Sequence, residues 1–161
     1  MNVKTLAISG IIAALYTAIT LAILPFGFTN IQFRISEMFN HLVVFNPRYI
    51  FGIVVGVFVS NLLLSELGPI DLVFGVGQSI IALSLTILFC RYVSNTMARM
   101  VFNTFIFTTT MFLIAWELNI VLHLPFLLTW LYVAIGEFAV MAIGIPVMKA
   151  LNKRLNFARL I

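Results

Sequence analysis

Apolar runs of about 20 residues, broken by short polar, Gly or Pro clusters, pattern this chain of 161 residues. A helix that crosses a bilayer needs ~20 mostly apolar residues, and each run is read against that length. The first extends roughly from Thr5 to Leu24, between Lys4 and Pro25. A basic start before an apolar run also describes a signal peptide. This run is long enough to span, however, and the chain after it is equally apolar, which predicts a retained helix. Phe26 to Asn30 reads as a turn. Ile31 to Phe45 is too short to span upright and carries Arg34, Glu37, Asn40 and His41, so it is expected to be a short or tilted helix inside the bundle. Beyond Pro47 and Arg48, Tyr49 to Leu64 predicts a third helix, with Gly52 and Gly56 four residues apart and Asn61 near its end.

Glu66-Leu67-Gly68-Pro69 is a turn signature. A fourth helix follows over Ile70 to Val93, with Asp71 placed as an acidic first-turn or capping residue. Gly75, Gly77 and Gln78 give that helix a thin, partly polar face. Ser94 to Arg99 reads as a polar turn before a fifth helix over Met100 to Val121, which carries Trp116, Glu117 and Asn119. His123-Leu124-Pro125 turns the chain into a sixth helix over Phe126 to Leu151, with Trp130, Gly136 and Glu137, and then a basic tail.

Composition decides the class. The chain is 63% hydrophobic and 9% charged, with mean hydropathy +1.17. A soluble domain carries roughly 25% charged residues. The expectation is an all-α integral membrane protein, a six-helix bundle forming one membrane-embedded domain over residues 1–161. The ~10-residue alternating segments of an outer-membrane barrel are not visible. The single cysteine, Cys90, allows no intramolecular disulfide and reads as a helix filler.

Charge adds topology. Six spans put both termini on one side, and Lys4, Arg48, Arg91, Arg99, Lys149, Lys153, Arg154 and Arg159 all fall there. By the positive-inside rule that side is cytoplasmic. The net charge of +4 is therefore a topology signal, and nucleic acid is not an expected partner. Arg34 is the exception. Glu37, Glu66, Asp71, Glu117 and Glu137 all fall toward the outer side. Glu137 lies about 11 residues into its helix, or ~16 Å below the start at 1.5 Å per residue. An ionisable group at such depth is costly unless it faces a polar interior. The outer half is thus expected to hold a carboxylate-rich pocket.

Bland readings stand beside this one. Arg34 and Glu37 can pair at three-residue spacing. Glu66 reads as a solvated loop charge, and Trp116 and Trp130 suit an interfacial aromatic belt. His41 and His123 are too poorly accompanied for a metal site. Carboxylates, amides and two tryptophans suit a ligand rich in N–H donors, cationic or planar, because a carboxylate accepts two parallel N–H bonds from a fork-shaped edge.

Residues Ile31-Gln32-Phe33-Arg34-Ile35-Ser36-Glu37, Gly56 to Asn61, Asp71-Leu72-Val73-Phe74-Gly75 and Ala134-Ile135-Gly136-Glu137 together resemble the queuosine-precursor subfamily of S components. These are the substrate-capturing subunits of energy-coupling factor transporters. The resemblance covers nearly the whole chain, in order, and departs from the family at Asn40, His41 and Gln78-Ser79. It implies a bacterial plasma-membrane transporter subunit with no cofactor and no catalytic residues of its own. Its partners would be a shared transmembrane coupling subunit and two ATPases, since the chain has no phosphate-binding loop. The small-residue motif around Ala14 and Ala18, extended by Gly10, would pack against the coupling subunit. The implied substrate is a deazaguanine bearing an aminomethyl or nitrile group. Candidate binding residues are Glu137, Glu37, Glu117, Arg34, Gln32, Asn61, Asp71, Gln78, Asn119, Trp116 and Trp130. Glu137 or Glu37 would read the ring edge and Glu117 the second group. Competing readings are an S component for another vitamin or amine, an intramembrane enzyme using Glu37 and Glu137 as acid and base, and a ligand-free structural subunit.

Overall fold

A computed structural model of the chain describes residues 3–24 and 33–161. Asn30, Ile31 and Gln32, the first part of the polar motif after the first helix, lie outside the described residues. Helix α1 is Val3–Ala22, α2 is Ile35–Phe45, α3 is Pro47–Leu64, α4 is Pro69–Cys90, α5 is Thr96–Leu122 and α6 is Phe126–Leu155. A short α7, Phe157–Leu160, closes the chain. All but α2 and α7 are long and apolar enough to cross a bilayer. Together they form a multi-pass helical membrane bundle.

Local chemistry explains where the helix ends depart from the sequence reading. Helix α5 starts at Thr96 rather than Met100 because the Asn95 side chain accepts from the Ala98 backbone N–H at 3.1 Å, a cap that turns the expected polar loop into a first helical turn. Helix α6 runs on to Leu155, where Asn156 adopts the left-handed conformation and Asn152 Oδ1 accepts from Phe157 N–H. Helix α4 ends three residues early. Arg99 there donates to the carbonyls of Cys90 (2.8 Å), Val93 (2.5 Å) and Val44 (3.3 Å), which satisfies backbone acceptors near the ends of α4 and α2. Helix α5 is interrupted for one residue at Met111, between Thr96–Thr110 and Phe112–Leu122, which makes a break in the helix.

The closest helix pair is α1 against α3, and the two glycines of α3 permit it. A Cβ on Gly56 would lie 2.8 Å from Tyr16 Cβ, and one on Gly52 would lie 2.9 Å from the Ser9 carbonyl oxygen. Without a hydrophobic drive in lipid, such backbone proximity is what holds spans together. Gly10, Ala14 and Ala18 stand on the opposite, exposed face of α1.

The two ends of the bundle differ. At one end Lys4 Nζ donates to the Arg159 carbonyl, Asn46 Nδ2 lies 3.4 Å from the carbonyls of Ala158 and Ile161, and Tyr49 OH donates to the Phe157 carbonyl at 3.0 Å. The termini, the end of α2, the start of α3, the end of α4 and the start of α5 therefore meet there. This end carries the basic residues other than Arg34, and the positive-inside asymmetry makes it cytoplasmic. The opposite, outer end gathers the polar cluster described next.

Candidate functional site

Helix α2 enters the bundle from the outer end and brings the charge with it. Its first seven residues, Ile35–His41, wind as a 3-10 helix. In that winding side chains three apart eclipse, so Glu37 and Asn40 stand in register. Asn40 Nδ2 donates to Glu37 Oε2 at 2.5 Å, and Tyr16 OH on α1 donates to Glu37 Oε1 at the same distance. Ser36 and Thr20 share a hydrogen bond at 2.7 Å, a second tie from α2 to α1. Both oxygens of Glu37 are thus held by the protein.

Arg34, 6% exposed, reaches the other way. Its Nη1 donates to Asn61 Oδ1 at 3.0 Å, and its Nη2 lies 3.8 Å from Asp71 Oδ2. Asn61 Nδ2 in turn donates to the Asp71 backbone carbonyl at 3.2 Å. Gly75, one turn beyond Asp71, leaves room for the Asn61 amide where a side chain would collide. The sequence reading of Asp71 as a helix cap gives way here. Gly68 is the N-cap of α4, and Asp71 points inward at 2% exposure against Arg34. The start of α2 and those of α3's end and α4's start are joined through one guanidinium.

Two further carboxylates complete the cluster. Glu117 on α5 and Glu137 on α6 are both fully buried, and none of their four oxygens finds a hydrogen bond among the described residues. The charges of Glu37 and Arg34 act on Glu137, while those of Asp71 and Arg34 act on Glu117, so all five groups share one electrostatic neighbourhood. Enclosing a carboxylate without a donor costs several kcal/mol, and folded proteins avoid it except where function requires it. The cluster therefore holds two carboxylates without a donor among the described residues, beside an Arg–Asp–Asn brace and a Tyr–Glu–Asn brace.

Comparison with known proteins places the chain. A profile of the family described as QueT transporter matches residues 6–153. The "Queuosine precursor transporter QueT" of Lactococcus lactis subsp. cremoris (strain MG1363) is 38% identical over 158 residues, covering 92% of each chain. The chain belongs to the QueT transporter family. No solved structure matches it. Family membership makes it a multi-pass transporter of the cell membrane and not an enzyme.

Within this QueT family member, the structure draws Arg34, Glu37, Asn61, Asp71, Glu117 and Glu137 together and sets other candidates apart. Gln78 Nε2 donates to Thr110 Oγ1 at 3.0 Å, tying α4 to α5 beside its interruption at Met111. Asn119 Nδ2 donates to the Leu124 carbonyl at 2.6 Å and holds the α5–α6 turn. Trp116 is 51% exposed and meets Phe74 edge-on at 6.0 Å. Trp130 lies between Phe112 and Phe126, lining a lateral groove of about 400 Å³ with Thr108, Leu127 and Ala134. Gln32 lies outside the described residues. Glu66 is exposed, as its loop position suggested.

Two site residues escaped the sequence reading as binding candidates. Tyr16 sits between Ala14 and Ala18, inside the small-residue motif, where its hydroxyl drew no attention. Asn40 registered only as unusual polarity. The available signal was periodicity: Tyr16 is the one residue of α1 that combines a large ring with a polar tip, and it stands one turn before Thr20 on the buried face.

Proposed function

We propose that this chain is the substrate-capturing membrane subunit of an energy-coupling factor importer and that it binds a queuosine precursor, an aminomethyl- or cyano-substituted deazaguanine, from the outer side. The observation that carries this reading is the pair of buried carboxylates of Glu117 and Glu137, without a hydrogen bond among the described residues. The name of the lactococcal relative supports the ligand class. A guanine-like edge presents two parallel N–H donors, and a carboxylate accepts both. Glu37 already receives Tyr16 and Asn40, so Glu137 is the better reader of the ring edge. Glu117 then meets the aminomethyl cation. Arg34, held by Asn61 and Asp71, stands at the outer rim of the cluster.

The exposed face of Gly10, Ala14 and Ala18 supports the second half of the proposal. Small side chains on an outward face let a neighbouring helix approach closely, and α1 packs on α3 through its other side. The coupling subunit would dock there, and two ATPases would supply the energy.

Purified protein titrated with both deazaguanines tests the ligand assignment. A charge-assisted hydrogen bond contributes about 1.5–3 kcal/mol, or roughly 10- to 150-fold in Kd. Glu137→Gln should weaken both ligands by that factor. Glu117→Gln should weaken the aminomethyl compound far more than the cyano compound. Equal affinity of Glu137→Gln and wild type would refute the site, and preferential binding of an unrelated vitamin in a competition panel would refute the substrate. Ala14→Trp should leave binding intact yet abolish copurification with the coupling subunit.

A further inference from the structure

The cytoplasmic end of α6 carries a groove that the transport reading does not use. Met97, Ile145, Pro146, Lys149, Ala150, Lys153 and Arg154 line about 510 Å³ of open space between α6 and the first turn of α5. Its lining is ordered along the helix. Ile145, Lys149 and Lys153 form one stripe at four-residue spacing, and Pro146, Ala150 and Arg154 form the next. Each stripe passes from apolar to cationic toward the cytoplasm. Ala150 is the small residue at the centre, and it leaves the space between the three cations open. Exposed Val101, one turn after Met97 on α5, continues the apolar wall toward the bilayer interior.

No Asp or Glu side chain serves those cations, because all five acidic residues lie at the outer end or deep in the outer half, which leaves the groove open to an anion from outside the chain. A soluble anion would satisfy the charges but leave the Ile145, Pro146 and Met97 wall unused. A lipid uses both parts, because an acyl chain lies on the apolar wall while a headgroup phosphate meets cations at the inner-leaflet surface. We infer that this groove binds one anionic phospholipid of the cytoplasmic leaflet, its phosphate held between Lys149, Lys153 and Arg154. Basic pockets at cytoplasmic helix ends select such headgroups over zwitterionic ones.

The test is native mass spectrometry of the purified full chain after reconstitution in phosphatidylcholine containing phosphatidylglycerol. Wild type should retain one phosphatidylglycerol in preference to phosphatidylcholine. Single Lys153→Gln and Arg154→Gln variants should each lose roughly fivefold of that preference, from about 1 kcal/mol per cation near the membrane surface. Removing several cations can disturb membrane orientation, so a second variant keeps every charge. Ala150→Phe fills the groove and should lose the retained lipid as fully as a charge-removing variant. Arg48→Gln and Arg91→Gln, at the same end but outside the groove, should retain it. Equal retention by wild type and Ala150→Phe would overturn the inference, as would equal losses in the Arg48 and Arg91 controls. Retention of phosphatidylcholine and phosphatidylglycerol in proportion to their supply would also overturn it. So would loss of phosphatidylglycerol on addition of the coupling subunit, which would mark the groove as a protein contact. None of these results bears on the deazaguanine site.

Discussion

Two clusters of polar side chains lie buried in this bundle, and they are built on opposite principles. In the inner half, His41 Nε2 faces the Met141 carbonyl at 2.9 Å, which can only accept, so that nitrogen carries the proton. His41 Nδ1 then accepts from Asn103 Nδ2 at 3.2 Å, and Asn103 Oδ1 accepts from Thr86 Oγ1 at 2.8 Å. The three side chains come from α2, α5 and α4, are each 0% exposed, and have their ring and amide groups paired. In the outer half, Glu117 and Glu137 are just as deeply enclosed and have no hydrogen bond among the described residues. Equal burial with opposite satisfaction separates a network that holds helices together from the cluster we propose as the ligand site.

The largest effect should come from breaking the satisfied network. Asn103→Leu strands His41 Nδ1 and the Thr86 hydroxyl, and each orphaned buried group costs about 1–3 kcal/mol. Denaturation in detergent should show the combined loss, while deazaguanine affinity of the protein that remains folded should change little. Glu137→Gln should do the opposite. Ligand affinity should fall roughly 10- to 150-fold, and thermal stability should be no lower than wild type, since the carboxylate it replaces makes no hydrogen bond among the described residues. A drop in stability with affinity kept would put Glu137 in the structural class.

Smaller changes test the braces. Tyr16→Phe removes one hydrogen bond to the Glu37 carboxylate, which contributes about 1.5–3 kcal/mol to holding that side chain and acts on the ligand only through it. It should weaken ligand binding by a few-fold and affect both deazaguanines alike, as isothermal titration can read. Glu66→Ala, on an exposed loop charge, should change stability by less than about 0.5 kcal/mol and leave binding unaltered. A strong effect there would mean that charge at the outer rim, rather than enclosure, governs the site.

Glu137 and the outer cluster were readable before any coordinates because position in a span carries an energetic penalty that sequence alone exposes. Eleven residues into an apolar helix, a carboxylate has to face inward. The membership of the two braces was not readable in that way. Arg34 and Glu37 sit three apart and invite a mutual pair. The structure instead gives Arg34 contacts with Asn61 and Asp71, and gives Glu37 contacts with Tyr16 and Asn40. That choice depends on the 3-10 winding of α2 and on the glycines that bring α1 against α3, neither of which local propensity dictates. Asp71 shows the same limit. Its place in a first turn suggested a cap, yet Gly68 takes the cap and Asp71 turns toward a guanidinium from another helix.

By itself, then, the sequence determined the class, the order of the long apolar helices and the half of the bundle where the carboxylates are concentrated. Each of these follows from transfer energetics summed along the chain, in which every residue's depth counts independently of its neighbours. Tertiary structure decided which acceptors are paired. Hydrogen bonds are short and directional, so whether a carboxylate is braced or open depends on ångström-scale placement of groups far apart in sequence. Tyr16 meets Glu37 across 21 positions and His41 faces Met141 across 100. Among the described residues, that placement left Glu117 and Glu137 as the two buried carboxylates with neither oxygen hydrogen-bonded.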